Sequence, residues 1–123
     1  MYQIHIKVPS ELKITNVNWN DNLSDPSSQL AIEMKQHVET ELDKAFCNVS
    51  VISNGISESC TTLIYDFTQG SVNVLFYVFE TVEISLVALQ SLQSQILTNM
   101  KQSINSRGLG YYAVNESSVL IGK

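Results

Sequence analysis

A chain of 123 residues holds one domain. Its hydrophobic content of 44% supports a real core, while a charged content of 15% falls below the roughly 25% usual for globular domains. With a net charge of −5 and no run of Lys or Arg, nucleic acid and anionic membrane surfaces are poor partners, and no apolar run reaches the length of a membrane span.

Ser, Thr and Asn take the place of the missing charges, a polar but weakly charged surface of the kind common outside the cell. No signal peptide opens the chain. The ending Val119-Leu120-Ile121-Gly122-Lys123 reads as cut, so the expectation is a domain excised from a longer protein.

From Met1 to Val8 apolar and polar residues alternate, and Pro9-Ser10 is expected to break the run. Residues 1–10 are therefore read as a linker or an extra N-terminal strand, with the domain proper spanning 11–123. Glu11 to Trp19 alternates again, with Leu12, Ile14, Val17 and Trp19 as its apolar members, and is the first strand of that domain. A polar loop follows. Asp25 is placed to cap a helix with Pro26 in its first turn. Leu30, Met34, Val38, Leu42 and Ala45 then recur at helical spacing up to Phe46. His37 sits beside this stripe. With two histidines in the chain and no carboxylate pattern around them, no metal site and no cofactor are expected.

Cys47 and Cys60 bracket an irregular stretch with a turn at Asn54-Gly55. A disulfide closing so short a segment would contribute about 3 kcal/mol in the chain-entropy picture. Two free buried thiols are the alternative. From Thr61 a second strand is expected, with Leu63, Tyr65 and Phe67 on one face. Thr68-Gln69-Gly70 then interrupts two apolar-rich runs as a hairpin turn, Gly70 supplying the positive φ such loops need. The strongest strand pattern follows: Val72, Val74, Phe76 and Val78 on one face, Ser71, Asn73, Leu75, Tyr77 and Phe79 on the other. Glu80 to Ile84 reads as a connector. Ser85 caps a second helix whose apolar positions are Leu86, Leu89, Leu92, Ile96, Met100 and Ile104, ended by Gly108. Tyr111 to Ile121 is expected as a last strand, bent near Asn115-Glu116.

The order strand, helix, strand, strand, helix, strand predicts an α+β, ferredoxin-like βαββαβ fold: a four-stranded antiparallel sheet with two helices on one face. That fold implies no function by itself. Three Asn-x-Ser sequons, at Asn22, Asn48 and Asn115, all fall in expected loops or at element ends, where chance predicts roughly two.

Three features in this order resemble an SEA domain, the extracellular module of membrane mucins, adhesion receptors and membrane-anchored proteases. They are the opening Leu12-Lys13-Ile14-Thr15-Asn16-Val17-Asn18-Trp19 with Asn22-Leu23-Ser24-Asp25-Pro26-Ser27-Ser28, the turn Gly70-Ser71-Val72-Asn73-Val74, and the Leu109-Gly110-Tyr111-Tyr112 turn before the last strand. The resemblance covers roughly Glu11 to Ile121 and implies an extracellular or cell-surface location in a larger membrane-anchored chain. It also implies self-cleavage between Gly70 and Ser71. Ser71 would be the nucleophile and Gly70 would supply the scissile carbonyl, in an N-to-O acyl shift followed by ester hydrolysis. The products would be two fragments that remain each other's partner, beside carbohydrate-rich neighbours. Such a chain is a single-turnover self-processor rather than an enzyme.

No Ser-His-Asp set is legible, since His5 and His37 lie elsewhere in the chain. Strain is the remaining source of rate: an amide twisted by ~12° rises by about 1 kcal/mol, and each ~1.36 kcal/mol taken from a barrier is a factor of ten. Cleaving members usually carry an apolar residue where this chain has Asn73. If that strand face is wet, Asn73 costs little; if partners there hold the turn, cleavage slows. An uncleaved spacer or interaction module beside glycosylated regions is the alternative reading, and a ferredoxin-like enzyme or small-ligand binder a weaker third.

Overall fold

A computed structural model of the protein describes residues 2–47 and 55–122. Its elements are β1 (Tyr2–Ile14), α1 (Gln29–Phe46), β2 (Gly55–Gln69), β3 (Val72–Ile84), α2 (Leu86–Arg107) and β4 (Leu120–Ile121), with short 3₁₀ turns at Asp21–Ser24 and Glu116–Ser118. The strands form one antiparallel sheet in the order β2-β3-β1-β4, the ferredoxin-like arrangement. Most of the buried residues of both helices join one apolar cluster with Val8, Leu12 and Ile14 of β1 and with Val72, Val74, Phe76, Val78, Val82 and Ile84 of β3. The alternation read along β3 is thus its real division into a dry and a wet face.

β1 is one strand and does not break at Pro9. The Pro9 carbonyl accepts from the Gly122 N–H at 2.9 Å, on the side away from β3. In an antiparallel ladder a residue's N–H and C=O share a side, so the proline's missing donor is not one that β3 needs. The strand ends at Ile14 rather than Trp19. Beyond it Thr15 and Asn16 hold the segment after α2: Thr15 N–H donates to the Ala113 carbonyl, and the Asn16 side chain both donates to the Tyr111 carbonyl and accepts from the Ala113 N–H. That segment makes isolated bridges before β4 instead of a continuous strand from Tyr111.

Both helices bury the apolar stripe read from the sequence from Met34 and from Leu92 onward, and depart from it at their first turns. Ser28, not Asp25, caps α1, accepting from the Ala31 N–H, while Asp25 accepts from Ser27 in the preceding turn. Ala31 is buried and Leu30 is largely exposed. In α2, capped by Ser85 and ended by Gly108, Ala88 is buried and Leu86 faces outward. At both N-terminal turns the small residue lets the helix approach the sheet. The Ser103 hydroxyl donates to the Ala45 carbonyl and ties the helices together.

β2 starts at Gly55, earlier than Thr61, and carries a bulge between Ile64 and Asp66. The extra residue, Tyr65, changes the phase. Ile64 and Phe67 therefore both reach the core, and Leu63 and Tyr65 lie outside, where Tyr65 stacks on Tyr77 with Lys7 above the Tyr77 ring. Cys47 at the end of α1 is disulfide-bonded to Cys60 of β2, with Cα atoms 5.3 Å apart. The edge of β2 is covered by two acids of α1. Asp43 accepts from the Thr62 N–H at 2.9 Å and from its hydroxyl at 2.6 Å, and Glu39 accepts from the Ile64 N–H at 2.7 Å. These carboxylates occupy donors that would otherwise template another strand. Asp43→Ala leaves the Thr62 N–H unmet, its hydroxyl keeping only the Glu39 carbonyl at 3.3 Å, and a loss of about 1–3 kcal/mol in urea unfolding is expected.

β3 continues through the residues read as a connector, since Val82 and Ile84 are buried and pair with both neighbours. The pattern was hidden by Glu80, which takes an inner-face position between Val78 and Val82, opposite Ile6 and Cys60. Burial pushes its carboxyl above the ordinary value of 4.5, partly offset by a hydrogen bond from Ser57. The unfolded chain therefore loses this proton first as pH rises. The stabilisation is full below about pH 4.5 and is lost as pH climbs through the raised folded value. Glu80→Gln is expected to raise Tm by a few °C at pH 7, with the gain shrinking toward pH 4, in a thermal-melt series across that range.

Candidate functional site at the β2–β3 turn

Gln69 pairs with Val72, so the hairpin loop consists of Gly70 and Ser71 alone. This is tighter than the Thr68-Gln69-Gly70 interruption read from sequence. The residues on its two sides are firmly placed. Val72 and Val74 are fully buried, Phe67 is buried across from Val74, and Ile14 of β1 lies opposite Val72. The loop itself is exposed.

The backbone of this loop is unusual. Gly70 has φ 134° and Ser71 has φ 52°, and Ser71 is the one non-glycine residue with positive φ among the described residues. Left-handed backbone costs a residue with a Cβ about 1–2 kcal/mol. Such conformations persist only where flanking structure over-determines them. Here the flanking structure is a strand pair whose closing residues are locked in the core, so the loop cannot widen without dismantling the ladder.

The two residues expected to react, Ser71 and Gly70, thus occupy the two loop positions and are directly bonded. The histidines are not brought to them. His5 lies beside Thr81, with which its ring forms a 3.1 Å hydrogen bond. That is nine residues along β3 from Val72, about 30 Å at strand rise. His37 is exposed on α1. Among the described residues no group of three or more His, Cys, Asp or Glu side chains could hold a metal ion.

Asn73 is the residue whose role sequence reasoning missed. It belongs to the outer face of β3, between Thr68 of β2 and Lys13 of β1. Its side chain turns back under the loop and Nδ2 donates to the Gln69 carbonyl at 3.2 Å. The same Nδ2 would stand 3.0 Å from a Cβ built on Gly70. The four-residue separation and the polar side chain were both visible in the sequence. That they meet follows only once the loop is known to hold two residues.

Of the other expected sites, Asn22 and Asn115 are exposed, Asn22 in the first 3₁₀ turn and Asn115 capping the second through hydrogen bonds from Ser117. Asn48 lies outside the described residues.

The βαββαβ order and the single antiparallel sheet make this an α+β, ferredoxin-like domain. Residues 6–115, nearly the whole chain, match the SEA domain family, and the chain belongs to it. No curated protein matches the chain at a significant level. The match begins at Ile6, inside β1, in keeping with a strand that runs on before Glu11.

Gly70 cannot be replaced without loss. Its φ is one that side chains rarely adopt, and an added methyl group would press on the Asn73 amide. In a Ser71→Ala background, adding Gly70→Ala is expected to lower unfolding stability by about 1–3 kcal/mol, read from the denaturation midpoint.

Proposed function

We propose that this SEA domain is an extracellular, self-processing module that cuts its own chain between Gly70 and Ser71. The carrying observation is the loop of two residues with positive φ, a glycine followed by a serine, inside the residues that match this family. The Ser71 Oγ attacks the Gly70 carbonyl carbon through a small ring that includes the Ser71 N, Cα and Cβ. The C–N bond breaks as the C–O bond forms, and the hydroxyl proton ends on the released Ser71 amine. Water then hydrolyses the ester, leaving a carboxylate on Gly70 and restoring the Ser71 hydroxyl.

A serine without a base is a weak nucleophile. The rate comes from the ground state. Planar resonance makes an amide inert, and a loop that withholds a few kcal/mol of that resonance speeds attack by orders of magnitude. Glycine on the carbonyl side tolerates the distorted backbone. The process is single-turnover, with no cofactor, and the partner of each product is the other fragment. The exposed sequons at Asn22 and Asn115 and the disulfide suit an oxidising, glycosylating route to the cell surface within a larger membrane-anchored chain.

Intact-mass spectrometry under denaturing conditions is expected to give fragments 1–70 and 71–123, which co-elute as one species on native size exclusion. Ser71→Ala is expected to give one full-length chain with the same fold. A single full-length species from the unmutated protein after prolonged incubation overturns the reading and leaves an uncleaved spacer or interaction module. Cleavage that persists in Ser71→Ala assigns the cut to an outside protease.

A further inference from the structure

We infer that Asn73 is a positioning residue for the Gly70–Ser71 bond: its carboxamide holds the Gln69–Gly70 peptide so that the turn cannot relax. The inference rests on the self-cleavage reading above, and it converts the residue that departs from the usual apolar pattern into part of the device.

A two-residue loop has few ways to shed strain. The two torsions of Gly70 are the softest, because glycine alone accepts almost any of their values. If the Gln69–Gly70 peptide were free to swivel, φ of Gly70 could fall from 134° into the ordinary left-handed well near +60 to +90°, and the load on the following peptide would ease. Two contacts of Asn73 oppose this. The Nδ2–H donates to the Gln69 carbonyl, which fixes the plane of the peptide before Gly70. The same amide lies close beneath Gly70, on the side where a Cβ would stand. The base of Asn73 is itself fixed, since its backbone is paired with Lys13 on one side and Thr68 on the other. The torsion that remains is the one between Gly70 and Ser71, where the attack takes place. An apolar residue at position 73 could fill space under the loop but could not hold a carbonyl.

Asn73→Asp separates holding from filling, because the two side chains have the same shape but a carboxylate cannot donate. In the full chain at pH 7, Asn73→Asp and Asn73→Val are each expected to slow the appearance of fragments 1–70 and 71–123 about five- to tenfold, the worth of one ordinary hydrogen bond. Circular dichroism reports whether each variant is folded. The charged groups near position 73 on the outer face are Lys13 directly across on β1, Glu11 further along β1 and Asp66 on β2. With Lys13 opposite, the introduced acid regains its proton only below about pH 4. There the rate of Asn73→Asp relative to the unmutated chain is expected to recover, because a protonated carboxyl donates again. A merely structural role predicts no such recovery. An Asn73→Asp rate equal to or above that of the unmutated chain at pH 7 overturns the inference.

If the unmutated chain does not cleave, the self-cleavage reading fails by itself. The hold on the turn is then decided by NMR in the Ser71→Ala chain, where adding Asn73→Asp is expected to move the Gln69 carbonyl and Gly70 amide signals. Unchanged signals overturn the hold as well.

Discussion

Everything in this domain depends on the double pairing of β3. Every residue from Val72 to Ile84 has a partner on β1 and another on β2, and the inner side chains of the strand form the floor on which both helices lie. The core and the turn are therefore one construction. The two loop residues are held at left-handed φ because the residues beside them cannot move. Val72 is locked between Ile14 and Gln69, and Phe67 and Val74 sit together in the core. Packing energy gathered along the whole strand is in this way available at its first residue.

The periphery of the sheet serves the same end by other means. β2 is an edge strand and would be free to slip or pair elsewhere, but α1 sets Asp43 and Glu39 against its open donors, and the Cys47–Cys60 bond fixes its distance from the helix. A strand that cannot slip keeps a turn of constant length. Glu80 works against this economy, as a half-buried acid among apolar neighbours. Its share of the stability is present at acid pH and is lost as the carboxyl ionises.

Much of this was legible from residue order alone. The valine and phenylalanine alternation along β3, the serine cap ahead of α2 and the glycine behind it, and the Gly-Ser turn each express a local rule strong enough to survive tertiary context. The misreadings have physical causes. Pro9 stops a strand only when its missing donor faces a partner, and here it does not. Leu30 and Leu86 lose their places in the core to Ala31 and Ala88 because close approach of the helix, not side-chain size, decides the first turn. The early half of β2 shows no apolar alternation because an exposed edge needs none. The bulge at Tyr65 is set by the pairing of two strands, and the contact of Asn73 with the turn by the length of the loop. Neither is written in any single stretch of sequence.

The placement of β3 carries one more consequence. A chain opened at the turn divides so that β1 and β2 fall to the first piece and the strand between them to the second. Removing that strand would leave the first piece with a gap the width of a strand and two long unsatisfied borders, and the second with an apolar strand face stripped of its neighbours. Neither remnant keeps a core of its own. Parting the pieces would therefore unmake the one core they share rather than release two separately folded subunits.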